Sequence, residues 1–399
     1  MADLQSRLSQ LSPEKRRLLE RRLAQKDRAH DPGPAPTKAP DTPAAAELPD
    51  LSVFFFSADA RAEAARAYDF LIEAARLADR LRFKAIWTPE RHFEDFGGLY
   101  PNPSVLNAAL ARETRHLGLR AGSTVLPLHG PVRVAEEWAL VDNLSGGRVG
   151  LSFATGWHDR DYVIRPENYA DRRELMFRGI EQVRALWRGE TVPIPGVGGR
   201  EVPVRTLPRP IQPELPVWVT ASSERTWRRA AAMGANILTS LIGITFEQLT
   251  ESIHRYRQER AQNGFDPTTG VVTVMVHTFV GENEAETREM VRDPMKSYLS
   301  QFVAQLGSMA ASPQGSAETE DLDSVLEFAF ARYFDHFSLL GTADKCARVL
   351  AKLSKAGADE AACLIDFGLA PETVLTGLER LAAIRGGVEV GSDRVGSSV

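Results

Sequence analysis

Residues able to do chemistry stand where a short apolar run ends near the middle of this sequence. The run Val149–Ala154 has the β-branched and aromatic residues of a buried strand. It is followed by Thr155, Gly156, Trp157 and His158. Small residues at a strand end let a flat ligand lie against the backbone, while Trp157 and His158 add an aromatic wall and a titratable imidazole. A core strand followed by an ordinary turn would give the same pattern.

Other predicted strands also end in polar or aromatic side chains. Those ends are Phe56-Ser57, Glu90-Arg91-His92, Ser123-Thr124 and Ser222-Ser223. Ser222, Ser223 and Thr226 stand at a predicted helix start, where free N–H groups and hydroxyls suit a phosphate. Plain N-capping by these hydroxyls is the alternative. Arg133, at the start of another predicted helix, or Arg173 could neutralise the same anion.

Several kinds of active site are excluded by what these strand ends lack. His92 and His158 are too few for a metal site, so no metal is expected. No serine stands in a nucleophile-elbow sequence, and there is no phosphate-binding P-loop. The remaining hydroxyls, glycine and aromatics predict a phosphorylated ring cofactor that supplies the reactivity itself.

Composition places the chain among ordinary globular proteins. Its 399 residues are 43% hydrophobic and 25% charged, and the net charge of -5 does not indicate a nucleic-acid surface. No apolar run approaches a membrane span, and the polar N-terminus is not a signal peptide. Cys346 and Cys363 form no metal-type pair. We expect a cytoplasmic protein with neither a nucleic-acid nor a membrane partner.

Strands and helices alternate along most of the chain. Strands are predicted near Leu51, Ala85, Arg120, Val149, Pro216, Asn236, Val271 and Glu360. Eight strands with helical crossovers predict an α/β fold, a (β/α)8 TIM barrel, whose strand ends meet at one mouth. A doubly wound open sheet is the alternative, although no G-x-G-x-x-G follows a strand. We expect residues 189–215 to be irregular and residues 293–335 to form an insertion or lid.

The two ends of the chain differ in composition from the predicted barrel, residues 51–385. Within residues 1–28, leucines at helical spacing and several arginines predict a short amphipathic helix. Residues 29–50 are a Pro/Ala-rich linker, and residues 386–399 a flexible tail. The N-terminal helix is either a docking element or a solvated segment.

The motifs above resemble those of one known family. Residues 51–385 resemble bacterial luciferase-like, flavin-dependent monooxygenases. Residues 90–97 are similar to E-H-H-F-T-E-F-G of the luciferase alpha subunit, and Pro131-Val132-Arg133 and Ser223-x-x-Thr226 also match. Residues 147–158 and 166–174 resemble a subgroup that accompanies nonribosomal peptide and polyketide synthases. Residues 11–23 resemble docking segments of those synthases.

This resemblance implies a two-component enzyme. A separate reductase would deliver reduced FMN, O2 would be captured at the flavin, and one oxygen atom would pass to the substrate. By position, Ser223, Thr226 and Arg133 are implied to contact the phosphate. Ser123 and Thr124 are implied to lie under the flavin, where the family often has a cis peptide.

The remaining implied site residues surround the flavin ring. Thr155 and Gly156 would flank it, and His92, matching the second histidine of the luciferase pair, is the candidate catalytic residue. A structural histidine is the alternative. Arg91 replaces the first histidine of that pair. The predicted substrate pocket is formed by Phe56, Arg91, Trp157 and His158. Arg173 stands where relatives often have a phosphate-binding tyrosine, and Tyr169 is a weaker candidate.

Three functions remain open from sequence. The first is FMNH2-dependent hydroxylation or oxygen insertion on an acyl or aminoacyl group tethered to a carrier protein, with residues 3–28 docking to the synthase. The second keeps the fold but uses the deazaflavin F420 for hydride transfer. The third is a non-catalytic scaffold. A homodimer is expected in each case.

Overall fold

The computed structural model describes five stretches of the chain. They are residues 48–56, 64–95, 97–156, 158–309 and 319–386. Trp157, the predicted helix within residues 1–28, most of the linker 29–50 and nearly all of the tail 386–399 lie outside these stretches.

Eleven strands are present in the described stretches. In chain order they are β1 Asp50–Phe54, β2 Ala85–Thr88, β3 Gly118–Val125, β4 Val149–Ala154, β5 Val192–Pro195, β6 Glu201–Val204, β7 Val217–Thr220, β8 Asn236–Ser240, β9 Val272–Val280, β10 Leu339–Gly341 and β11 Glu360–Leu364. Eight of them pair in the order β1-β2-β3-β4-β7-β8-β9-β11, and β11 returns to β1. Every one of these pairings is parallel, which confirms the predicted barrel. The open sheet, our alternative, is wrong.

Helices connect the strands and cover the barrel. They are α1 Ala64–Arg80, α2 Pro103–Glu113, α3 Pro131–Ser145, α4 Arg172–Arg188, α5 Glu224–Ala232, α6 Phe246–Gln262, α7 Glu284–Met309, α8 Thr319–His336, α9 Ala343–Ala356 and α10 Pro371–Gly386. Helix α2 was not predicted, although its start signal is present. The Asn102 side chain accepts the N–H groups of Ser104 and Val105, and Pro103 occupies the first helical position.

Two regions differ from prediction. Residues 189–215 are not wholly irregular, because β5 and β6 form an antiparallel hairpin there. Residues 293–335, predicted as an insertion or lid, are mainly helical, and α7 and α8 fill most of that region. Charged pairs between these helices, Arg292–Glu327 and Lys296–Asp323, explain why a polar sequence folds there. Among the helices of the described stretches, none has the length and apolar character needed to cross a bilayer.

A buried ion pair lies inside the barrel. The Arg120 guanidinium donates from Nη1 to both carboxylate oxygens of Glu360, at 2.8 and 2.7 Å. It is also held between the rings of Trp87 and Trp218, with its carbon 4.8 and 4.5 Å from their centroids. Ser52 Oγ and Trp87 Nε1 donate to the same carboxylate at 2.6 and 3.1 Å. Side chains from five barrel strands therefore converge on one charge pair.

The helices α7 and α8 close over part of the barrel interior. One hydrophobic cluster joins the barrel residues Phe54 and Trp87 to helix residues such as Phe330. His277 of β9 is fully buried beside this cluster, and its Nδ1 lies 3.0 Å from the Tyr333 hydroxyl. The Tyr298 ring packs edge-on 4.2 Å away, centroid to centroid. Burial in this apolar setting lowers the pKa of His277 to about 3.

Replacing Glu360 with Ala tests the barrel ion pair. We expect the free energy of unfolding to fall by about 3–5 kcal/mol, because the change leaves a buried guanidinium without its partner. Urea denaturation measures it. The matched control is Glu113→Ala, which removes the partner of Arg76 at the surface and should cost less than about 1 kcal/mol. Equal losses in the two variants would contradict a dominant role for the barrel pair.

Acid should destabilise the fold through His277. Its folded pKa is depressed to about 3, so between that value and the unfolded value of about 6.5 the unfolded chain binds the extra proton. Stability therefore falls as pH drops through this window, by about 2 kcal/mol from pH 6.5 to pH 5. His277→Gln should remove that part of the slope in urea titrations, whereas His254→Gln, on an exposed helix face, should not. Identical slopes for wild type and His277→Gln would exclude this assignment.

Candidate active site

The predicted site residues gather at one end of the barrel. Because its eight strands are parallel, all of their carboxyl ends open on the same rim. That rim carries Thr124 near the end of β3, Thr155 after β4 and Ser223 three residues beyond Thr220, the last residue of β7. The predicted ring-binding and phosphate-binding residues therefore lie on one rim, as the cofactor hypothesis requires.

Three hydroxyls tie neighbouring strands together beneath this rim. Ser123 Oγ forms a short hydrogen bond with Thr220 Oγ1. Ser152 Oγ lies 3.2 Å from Ser123 Oγ and 2.8 Å from Thr220 Oγ1. Next to this triplet, Thr124 Oγ1 is buried and has no hydrogen-bond partner among the described residues. A buried hydroxyl with unused bonding capacity is available to a ligand.

Two glycines stand near the strand ends at positions where a side chain would not fit. A Cβ on Gly122 would lie 2.9 Å from the Phe54 ring, which is closer than side chains tolerate. Gly156 has φ +77, and a Cβ there would lie 3.0 Å from a methyl group of Val125. The Gly122–Ser123 peptide is cis, which places the cis bond directly before Ser123. Both positions therefore require glycine, because a side chain would overlap the Phe54 ring at one and crowd Val125 at the other.

The predicted phosphate site stands at the start of α5. Ser223 is the N-cap residue, but its side chain makes no capping bond, so the capping alternative is wrong for Ser223. Its Oγ lies 2.9 Å from Thr226 Oγ1 instead. Ser222 is exposed beside it. The first-turn N–H groups of a helix have no partner within the helix, so hydroxyls and amides together suit an anion.

The two predicted phosphate-binding arginines lie on other helices. Arg173 is exposed in the first turn of α4, and its neighbour Glu174 accepts a 2.5 Å hydrogen bond from Arg229 of α5. The start of α4 is therefore beside α5. Arg133 is exposed in the first turn of α3, where it pairs with Glu137 one turn later. Tyr169, the weaker candidate, lies under the Arg172 guanidinium.

The loop after β4 is held against the rim by specific bonds. The Tyr162 hydroxyl donates to the Thr155 carbonyl at 2.7 Å, and Arg160 donates to Glu94 of the loop after β2 at 2.8 Å. His158 Nε2 and Asp161 Oδ1 are buried in this loop without partners among the described residues. These orphaned atoms mark a place where a ligand would complete the bonding.

Burial and neighbouring charges act in opposite directions on the pKa of the Asp161 carboxyl. Burial raises the pKa of its carboxyl, against the opposing effect of Arg91, His158 and His92. Arg91 is itself buried, and its guanidinium carbon lies 4.9 Å over the Phe56 ring. Burial lowers the pKa of Arg91, although Asp161 counteracts this. The structure therefore brings three of the predicted pocket residues into one region; the fourth, Trp157, lies outside the described stretches.

His92 is bound to a buried carboxylate that sequence reasoning did not select. Glu90 Oε1 lies 3.0 Å from His92 Nε2 and 2.6 Å from His129 Nε2, and Oε2 accepts the Val125 N–H at 2.7 Å. Burial alone would raise the pKa of Glu90, but the hydrogen bonds from His129 and His92 hold it below its usual range. The alternative of a structural role for His92 has a physical basis in this bond.

Sequence reasoning missed five polar residues of this region. They are Glu90, His129, Ser152, Asp161 and Thr220. Glu90 was recognised as part of a strand end but was not chosen as a site residue, and the same strand-end rule could have found His129 and Thr220. The contact partners of Ser152 and Asp161 come from distant parts of the chain, and no local pattern reveals them.

The rim fits a phosphate-bearing flat ring. The unpartnered Thr124 hydroxyl and the hydroxyl pair at α5 provide a ring contact and an anion site. Within the described stretches, no three His, Cys, Asp or Glu side chains are grouped to hold a metal ion.

Comparison with known proteins points the same way. The oxygenase component of the flavin-dependent trigonelline monooxygenase of Acinetobacter baylyi is 25% identical over 319 residues, covering 79% of this chain and 88% of that protein. The crystal structure of the monooxygenase RslO1 from Streptomyces bottropensis has a TM-score of 0.69 at 22% identity, covering 84% of this chain and 97% of that one.

A second solved structure has the same fold and contains FMN. The oxygenating constituent of 3,6-diketocamphane monooxygenase from Pseudomonas putida, in complex with FMN, has a TM-score of 0.69 at 17% identity, covering 84% of this chain and 98% of that one. A family profile described as luciferase-like monooxygenase matches residues 51–360. Because this match spans well over half of the chain, the protein belongs to the luciferase-like monooxygenase family.

Proposed function

We propose that this protein uses reduced FMN and O2 to place one oxygen atom on an acyl or aminoacyl group carried by a carrier protein of natural-product assembly. Family membership supports flavin-dependent oxygenation. The observation that carries the cofactor assignment is the pairing of an anion site at α5 with a hydroxyl- and glycine-lined rim at the same barrel end.

The residues of the rim divide the work of holding the cofactor. The hydroxyls of Ser223 and Thr226, next to Ser222, would bind the phosphate with the first-turn amides of α5, and Arg173 and Arg133 would supply positive charge. Ser123, Thr124, Thr155 and Gly156 would contact the ring. When bound, reduced FMN supplies the O2 chemistry, and the protein's own task is to bind, orient and exclude water.

The other side of the rim would bind the substrate. Phe56, Arg91 and His158, with Trp157, would line that pocket, and His92 would hold or accept a proton at its imidazole. The orphaned atoms of His158 and Asp161 support this placement, because a polar substrate group would satisfy them.

The carrier and reductase partners rest on resemblance. Residues 147–158 and 166–174 resemble the assembly-line subgroup, and the docking-like segment within residues 3–28 points to the same partners. The relative from Acinetobacter baylyi is named an oxygenase component, which supports a separate reductase here. For the homodimer, the exposed apolar residues Val105, Leu140 and Leu144 on α2 and α3 are the supporting surface.

The double substitution of Ser223 and Thr226 by Ala tests the phosphate site. We expect FMN affinity to fall by about tenfold to a hundredfold, because two hydroxyl bonds to a charged phosphate are lost. Riboflavin, which has no phosphate, should bind wild type and variant equally. Fluorescence titration measures both ligands, with Ser252→Ala on α6 as the control variant. Equal losses for FMN and riboflavin would place the phosphate elsewhere.

Oxygen incorporation tests the proposed reaction. Purified protein, a flavin reductase, NADH and 18O2 are supplied with carrier proteins loaded with a panel of acyl and aminoacyl groups. The expected result is a mass gain of one 18O atom on a carrier-bound group, read by mass spectrometry. Free thioester analogues of the same groups are the matched substrates, and a gain on these alone would contradict carrier recognition.

The same preparation separates the two alternatives. If the protein binds F420 in preference to FMN, and hydride transfer occurs without any gain of oxygen on the substrate, the F420-dependent function would be established. Absence of any flavin or deazaflavin binding would favour the scaffold function over both enzymatic functions.

A further inference from the structure

The cluster of Glu90, His92 and His129 has a defined protonation pattern. Both imidazoles approach the same carboxylate oxygen through Nε2, at 3.0 and 2.6 Å. An ionised carboxylate only accepts hydrogen bonds, so each Nε2 must carry a proton. Neither Nδ1 atom has a bonding partner among the described residues. The carboxylate therefore fixes the tautomer of both rings, as a buried acid orients a catalytic histidine.

The three side chains differ in their access to water. The Glu90 side chain has no exposed surface, His92 keeps 11% of its side-chain surface exposed, and His129 keeps 32%. A cavity of about 50 Å³ lies beside the cluster, with Thr124, Glu137 and Ser104 in its wall together with Glu90 and His129. Its polar wall and size suit a bound water molecule. The unpartnered Thr124 hydroxyl is a second group that such a water would satisfy.

We propose that Glu90, His92 and His129 form a charge-sharing proton store, in which His92 is the ring that takes up a proton at the flavin rim and His129 releases one to the cavity in exchange. Glu90 and His129 are positioning residues in this scheme. The scheme rests on the proposed function only for the statement that His92 serves the reaction. The sharing itself is a property of the flavin-free protein.

The exchange takes up one proton and releases one proton. In the proposed scheme the resting cluster carries its one extra proton on His129 and Glu90 is a carboxylate, so the three groups sum to zero charge. Uptake of a proton at His92 Nδ1 and loss of the Nδ1 proton of His129 to water leave that sum unchanged. Both Nε2–H groups stay bonded to Glu90 throughout, so no heavy atom needs to move. The low-dielectric site favours this neutral total over two adjacent imidazolium charges.

Other charges face the cluster from neighbouring elements. Glu137 of α3 faces His129 and raises its pKa, whereas Arg165 of the loop after β4 lowers it. Burial would lower the pKa of His129 most, but the hydrogen bond and charge of Glu90 outweigh it. Asp161 of the same loop faces His92, with Arg91 beside it. The more water-accessible ring is thus the one biased toward the charged form.

Imidazole NMR on the flavin-free, 15N-labelled full chain tests the sharing. We expect both rings to be Nε2–H tautomers at high pH. In His129→Gln the titration midpoint of His92 should move upward by about one pH unit, because the competing positive charge is gone. In Glu90→Gln the midpoint of His129 should move downward. His336→Gln, at the exposed end of α8, is the matched control and should shift neither ring.

Two results would overturn the proposal. One is a His92 ring protonated at Nδ1 rather than Nε2, and the other is an unmoved His92 midpoint in His129→Gln. These readings do not need Glu90→Gln to fold. In turnover with reduced FMN, the acid limb of the kcat profile should move upward in His129→Gln by the same amount as the NMR midpoint. An unchanged acid limb would also overturn it. Intact NMR coupling in a protein that never oxygenates would refute the proposed function and leave the sharing in place.

Discussion

The charge pair of Arg120 and Glu360 is the constraint on which the barrel depends. Polar groups from β1, β2, β3 and β11 meet at it, and the Trp218 ring of β7 covers one face of the guanidinium. Because a buried charge must keep its partner and its hydrogen bonds, these strands are held in a single register. Two tryptophan rings around one cation also leave little freedom in the interior. Because these strands are fixed relative to one another, the positions of the residues at their carboxyl ends, which form the rim, are fixed as well.

The rim formed by the carboxyl ends of the strands contains both paired and unpaired polar groups. Beneath it, the hydroxyls of Ser123, Ser152 and Thr220 join three strands without any net charge. Along it, buried polar atoms remain unpaired, at Thr124, His158 and Asp161. Native proteins rarely leave such atoms without partners, and a site that binds a polar ligand is one place where they do. The paired hydroxyls hold the strands in position, and the unpaired atoms are available to hydrogen-bond a ligand.

Much of the fold could be predicted from the sequence, because periodicity and strand-end chemistry are local signals. All eight barrel strands were predicted near their observed positions. Helix α2 was missed despite its Asn102-Pro103 start. Residues 293–335 were predicted only as an insertion or lid, because the ion pairs that join α7 to α8 connect residues that no local pattern links. At the site, Ser123, Thr124 and Gly156 were selected from strand ends, whereas Ser152 and Thr220 were not. The Glu90–His129 bond joins residues 39 positions apart, and only tertiary structure creates it.

The helical pair α7 and α8 is attached to the barrel through a strand that barrel closure does not use. β10 extends from the edge of β9, while β9 itself already pairs with β8 and β11. The helices that cover the interior are therefore connected to β10, a strand outside the closed barrel. Changes in the length or in the surface residues of α7 and α8 can therefore leave the register of the barrel strands undisturbed. The residues that cover the barrel interior can therefore change while the pairing of the eight barrel strands is kept.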